Sequence, residues 1–238
     1  MTRAIVFDLD DTLYPERRFA LSGFAAVARH AEASYGIPSR EAFTILRNAI
    51  RDGRRSTAFQ TLAARVVTDA AAVQAFREVY RRHVPRIRLP RASRRVLDEV
   101  RRTWRIGLLT NGSPEIQRAK VAALGLAALM DVIVYAHEVS DGKPDSPAFE
   151  AVCDRLRVAP DRAVMAGDDP WCDIDGARGA GLHAIRIRRG WHRHVDAGHS
   201  GAADCTVTSL TEVPRAAERL VPATPMAPTI GTSVSHAD

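Results

Sequence analysis

Short apolar runs recur along the chain at residues 4–7, 106–109, 132–135, 163–166 and 184–187, with a weaker one at 205–207. Few polar residues interrupt them, which is the pattern of strands buried on both faces. Helical periodicity fills the gaps. Residues 93–103 place Val96, Leu97 and Val100 on one face. Two more helices are predicted after Ser113-Pro114 and Ser146-Pro147, with serine as N-cap and proline as first helical residue. Strand–helix–strand alternation from about residue 90 to 210 predicts an α/β fold with a Rossmann-like parallel-sheet core and right-handed crossovers.

The stretch between Tyr14 and Leu89 breaks that rhythm. Phe19, Phe24, Val27, Ala28, Ala31 and Tyr35 recur at helical spacing, and helical patterns follow over residues 41–50, 57–67 and 70–84. A helical block inserted after the first strand predicts a separate lobe, an α-helical cap over residues 15–89. The α/β core then comprises residues 1–14 and 90–221, with Pro85 and Pro90 marking the return to it. Residues 222–238 are rich in Pro, Thr, Ser and Ala and are expected to be disordered.

Composition narrows the partners. Of 238 residues 46% are hydrophobic but only 6% aromatic, so the core is expected to be aliphatic. The net charge of +6 comes from basic residues spread along the chain without interleaved aromatics. That distribution argues against a nucleic-acid partner, while the positive field suits an anionic substrate. Cys153, Cys172 and Cys205 are odd in number and form no CxxC pair, which argues against a disulfide framework. No apolar run approaches the ~20 residues of a membrane span, and charged residues come too early for a signal peptide. A cytoplasmic protein, monomer or homodimer, with no membrane partner is expected.

Chemistry concentrates in four segments. Asp8-Leu9-Asp10-Asp11-Thr12 follows the first strand. Asp8 and Asp10, two apart in extended chain, face one site at a strand's C-terminal end. Close carboxylates repel and call for a cation, and magnesium (Mg2+) prefers such oxygen ligands beside substrate phosphates. Leu109-Thr110-Asn111-Gly112 offers a hydroxyl, an amide and backbone N–H groups to phosphate oxygens. Gly142-Lys143-Pro144-Asp145 brings an ammonium, and residues 167–173, Gly-Asp-Asp-Pro-Trp-Cys-Asp, add more carboxylates. Singly, each segment also reads as an ordinary turn. Together, in order and each at the same edge of a predicted parallel sheet, they read as one site. Only Lys120 and Lys143 among the 34 Lys plus Arg residues are lysine. The retention of Lys143 inside a candidate site suggests that a compact point charge is wanted there. Lys120 has no such explanation.

The ordered motifs DLDDT, TNG, GKPD and GDDPWCD resemble those of the haloacid dehalogenase superfamily, over residues 3–14 and 90–210. The helical insert is similar to the α-helical cap of its subclass I, and DLDDTLYPE resembles openings of its phosphatases. The resemblance implies a magnesium-dependent phosphatase of a small phosphorylated metabolite (a sugar phosphate, nucleotide or small acid phosphate) working through an aspartyl-phosphate. It further implies Asp8 as nucleophile and Asp10 as acid and base, its backbone carbonyl also touching the metal. Thr110, the Asn111 backbone and Lys143 would hold the phosphoryl group, and Lys143 would bridge it to Asp8. Asp168 and Asp173 would complete the metal site; Asp169 stands where relatives often have serine, and the resemblance assigns it no role. A dehalogenase lacks the second aspartate. A phosphomutase of the same fold uses both, and a non-catalytic regulator has no need of Asp8, Asp10, Lys143 and Asp168 together. Outside these motifs, His192, His194 and His199 read as a solvated loop; Cys172, inside the fourth motif but without a paired histidine, reads as packing. Gly176, Gly179 and Gly181 read as close helix packing and a helix stop. Arg17, Arg18, Arg51, Arg54 and Arg55 face either the cleft or solvent.

Overall fold

The computed structural model describes residues 2–66, 69–195 and 202–223. Each apolar run forms a strand: β1 Ala4–Phe7, β2 Arg105–Thr110, β3 Val132–Tyr135, β4 Ala163–Gly167, β5 His183–Ile187 and β6 Cys205–Val207. They build one sheet in the order β3-β2-β1-β4-β5-β6, with every neighbouring pair parallel. This is the expected Rossmann-like α/β arrangement. The order reverses beside β1, and open parallel sheets bind ligands at such a switch point, beyond the strands' carboxyl ends.

Alternation along β1 feeds both faces. Ile5 and Phe7 join one apolar cluster, with Val96, Leu97 and Val100 of α5 (Arg91–Val100), Val121 and Leu124 of α6 (Pro114–Leu124) and Ala216 of α9 (Val213–Leu220). Ala4 and Val6 join the other, with Phe149, Val152 and Leu156 of α7 (Ser146–Leu156) and Ala177 of α8 (Gly176–Gly179). All four β1 residues are buried, which is why the run lacks any polar alternation. Pro114 is the first residue of α6, as expected, although Ser113 makes no side-chain cap bond. In α7 the helix begins one residue earlier than predicted, at Ser146, and Asp145 occupies the cap position.

Helices α1 Arg17–Tyr35, α2 Ser39–Arg51, α3 Ala58–Ala63 and α4 Asp69–Arg82 follow β1. They enclose a third cluster around Phe24, Val27, Leu46, Leu62 and Phe76. The helix expected over 57–67 is shorter. A 3₁₀ turn, Arg55–Thr57, precedes α3, which ends at Ala63. Gly36, in the left-handed region at φ 68°, closes α1 and donates its N–H back to the helix. Among the described residues, no helix is long and apolar enough to cross a membrane. Of the tail expected to be disordered, residues 224–238 lie outside the described residues.

Candidate active site

Asp8 follows β1 directly, and its N–H donates to Ala166 O at 3.0 Å, prolonging the β1–β4 pairing by one residue. This bond fixes its carboxylate at the centre of the sheet's edge. Lys143, 5% exposed, inserts beside it. The Lys143 Nζ lies 2.6 Å from Asp8 Oδ1 and 2.6 Å from Asp173 Oδ1, and donates to Leu109 O at 3.1 Å. Asn111 holds the loop that carries Lys143. Its amide donates to Lys143 O at 2.9 Å, and Lys143 N–H donates to Asn111 Oδ1 at 2.8 Å.

Asp168 follows β4, and Asp173 sits on a wide π-helical turn, Pro170–Asp175. Asp169 caps that turn, accepting from the N–H groups of Trp171 and Cys172. Gly167 makes room for it. A Cβ there would lie 2.1 Å from Asp173 Oδ2. Gly176 faces the Phe149 ring and Gly181, at φ 82°, follows the end of α8, in keeping with packing and a helix stop, whereas Gly179 has open space where a Cβ would lie and makes no close packing contact. Oxygens of Asp8, Asp168 and Asp173 come within 4.8 Å of one another. Asp10 is not part of that trio.

Burial pushes the Asp8 carboxyl up to about 7 against the pull of Lys143, with Asp173 adding to the rise. Asp168 is likewise raised by burial, to about 6, with the His192 bond opposing. Burial raises Asp173 too, although Lys143 opposes it. For Lys143, burial favours the neutral amine, but Asp173 and Asp8 outweigh it and hold the ammonium charged. The Lys143 ammonium therefore serves two buried carboxylates, Asp8 and Asp173, while Asp168 pairs with His192.

Asp10 faces a different set of donors. Lys120 Nζ approaches its two oxygens at 2.9 and 2.7 Å, Gln117 Nε2 donates at 3.0 Å and Tyr14 OH at 2.7 Å. Gln117 also donates to Thr110 Oγ1 at 2.6 Å. Lys120, which had no assigned place, is thus a site residue. Two further readings change. His192 is not merely on a solvated loop: its Nδ1 lies 3.0 Å from Asp168 Oδ2, and that bond raises its pKa against the effect of burial. His194 is exposed, and His199 lies outside the described residues. Cys172 is half-buried and lines the cavity, and burial pushes its thiol up to about 12.

These groups border a cavity of about 250 Å³, lined by Asp8, Asp10, Thr110, Asn111, Lys143, Asp168 and Asp173. Glu16 and Arg55, from the helical stretch, line it as well. Arg55 donates to both Glu16 oxygens, at 2.7 and 2.5 Å. Arg51 and Arg54 pair with Asp52 nearer the surface, and Arg17 and Arg18 are exposed.

A family model for haloacid dehalogenase-like hydrolases matches residues 2–181. A glyceraldehyde 3-phosphate phosphatase of Methanothermobacter thermautotrophicus is 30% identical over 199 residues, covering 79% of this chain and 86% of that enzyme. A phosphoserine phosphatase of Thermus thermophilus is 40% identical over 101 residues, covering 42% of this chain and 41% of that enzyme. Among solved structures, a 2-haloacid dehalogenase of Pseudomonas syringae pv. Tomato superimposes with a TM-score of 0.63 at 24% identity. That superposition covers 92% of this chain and 99% of the dehalogenase, and it shows a common fold.

Proposed function

The chain is a phosphatase of the haloacid dehalogenase-like hydrolase family, and on that premise we propose that it cleaves phosphomonoesters of small metabolites with Asp8 as nucleophile and magnesium as cofactor. The observation that carries this reading is the buried Lys143 ammonium, held 2.6 Å from both Asp8 and Asp173. It keeps a carboxylate oriented at a sheet edge while offering positive charge to an incoming phosphate.

The donor set fits the metal. Asp8, Asp168 and Asp173 offer only hard oxygen atoms, within 4.8 Å of one another, and Lys143 offsets only part of their charge. These three side chains and the Asp10 backbone carbonyl would hold the ion. Bound there, magnesium would supply positive charge to the phosphoryl oxygens.

The protein's own groups divide the remaining work. An Asp8 oxygen attacks phosphorus, and the bond to the leaving oxygen breaks as Asp10 gives that oxygen a proton. Asp10 then takes a proton from water. The water oxygen attacks phosphorus, the bond to Asp8 breaks, and inorganic phosphate leaves with Asp8 restored. Thr110, the Asn111 backbone N–H and the Lys143 ammonium hold the phosphoryl oxygens throughout. Residues 15–89 act as a cap that limits the site to small substrates and reads their leaving groups, supported by Arg55 and Glu16 at the cavity. The relatives' substrates, glyceraldehyde 3-phosphate and phosphoserine, are of the size this cavity suits. A halide leaving group needs no proton, so the shared fold of the dehalogenase does not carry over its reaction.

The test is phosphate release from a panel of sugar phosphates, nucleotides and phosphorylated acids, with magnesium and with EDTA. Magnesium-dependent release, abolished by Asp8→Asn, is expected. Release that survives Asp8→Asn, or no release from any member, would overturn the proposal.

A further inference from the structure

The chain has only two lysines, and each is buried against one of the two motif aspartates. Lys143 holds Asp8, and Lys120 holds Asp10. Lys120 comes from α6, 110 residues from its partner, and is 5% exposed. Gln117 lies one helical turn earlier on the same face, and it is 2% exposed. Buried polar side chains on a helix need partners, and here both find Asp10. Tyr14 OH adds a third donor. The far side of the Lys120 ammonium lies 4.6 Å from the centre of the Phe19 ring, a cation–π contact. Phe19 is itself buried. The ammonium is thus closed in between an aromatic face and one carboxylate.

We propose that Lys120, with Gln117, is a positioning residue that holds the Asp10 carboxylate at the leaving-group side of the cavity for proton transfer. The inference rests on the phosphatase reading, in which Asp10 is the acid and base. Gln117 extends the clamp to the phosphate pocket. Its amide donates both to Asp10 Oδ2 and to Thr110 Oγ1, so one side chain ties Asp10 to the hydroxyl at the end of β2, whose own proton makes only a long 3.5 Å contact with Asn111 O. Without Lys120, Asp10 loses the donor that touches both its oxygens and can rotate away. A proton transferred over a short hydrogen bond tolerates little displacement. Rotation should therefore slow those steps in which the leaving oxygen needs a proton. Steps in which it does not should be spared.

That contrast gives the test. Single-turnover phosphoryl transfer is measured by quench flow on two magnesium-saturated substrates: a primary alkyl phosphate, whose alkoxide must be protonated, and p-nitrophenyl phosphate, whose phenolate leaves unaided. Lys120→Met and Lys120→Gln are compared with Asp10→Asn and with the Lys120→Met/Asp10→Asn double variant. Lys120→Met is expected to slow transfer from the alkyl phosphate by about 10²-fold, with far less effect on the aryl substrate. Lys120→Gln, which keeps one donor, should fall between. In the Asp10→Asn background, Lys120→Met should add almost nothing. Equal losses on both substrates, or additive losses in the double variant, would show a purely structural lysine and overturn the inference. If Lys120→Met does not fold, Lys120→Gln and the double variant, which lacks the orphaned carboxylate, decide on the same terms. A leaving-group-independent rate in Asp10→Asn itself would instead overturn the underlying acid–base role.

Discussion

At the scale of single residues, the site is governed by how few positive charges serve how many carboxylates. Gly167 shows how tightly they are arranged. Its missing side chain is occupied by Asp173, and a methyl group would meet Oδ2 at 2.1 Å. Gly167→Ala must displace that carboxylate from Lys143. We expect a stability loss of roughly 1–3 kcal/mol, typical of overpacking, measured by urea unfolding, and a more than tenfold loss of turnover. Wild-type kinetics in this variant would show that the Asp173–Lys143 contact is dispensable. Much of the candidate site was legible in sequence, because Asp8, Thr110 and Asp168 each stand at a strand end that the apolar runs already mark, and Lys143 lies in the loop between β3 and α7. Lys120, Gln117 and His192 were not. Their partners lie 110, 107 and 24 residues away, and no local spacing relates a residue to a carboxylate that far along the chain. The available hints were the rarity of lysine and two polar residues on the apolar face of α6.

At the scale of elements, the strands were readable because burial on both faces leaves unbroken apolar runs. Helix ends were less so. The predicted helix over 57–67 stops at Ala63, just ahead of the β-branched pair Val66 and Val67, which favours helix poorly. α7 starts at Ser146 because Asp145 already has extended backbone angles suited to the cap position. The four helices after β1 have their own apolar cluster, with Phe76 fully buried within it. Phe76→Ala should cost about 3–5 kcal/mol of stability, the usual range for a buried aromatic. If this block is the cap, discrimination among natural substrates should decline before hydrolysis of p-nitrophenyl phosphate does. Steady-state kinetics on both substrate types at increasing urea would check the order, and simultaneous loss would tie the block to the chemical step.

At the scale of the whole molecule, magnesium held by the carboxylate trio, as proposed, would couple the folded state to its cation. A ligand that binds only the folded chain at a hundred times its dissociation constant contributes about 2.7 kcal/mol. For a chain of this size that is roughly 5–10 °C in Tm. Magnesium should therefore raise the melting temperature of EDTA-treated protein by about that amount in differential scanning fluorimetry, and Asp168→Asn should reduce the rise. No shift at millimolar magnesium would count against the trio as its site. The scarcity of lysine has one more consequence. A lysine-specific endoprotease finds two sites in the chain, and the one after Lys143 is blocked by Pro144. The remaining bond, Lys120–Val121, lies inside α6 between buried side chains. Cutting there requires that α6 unwind and that Lys120 leave Asp10. When reclosing outpaces cleavage, the rate of such a single cut reports the population of open molecules. The protein thus carries its own one-site gauge of local opening at the candidate active-site edge, read as two bands on a gel.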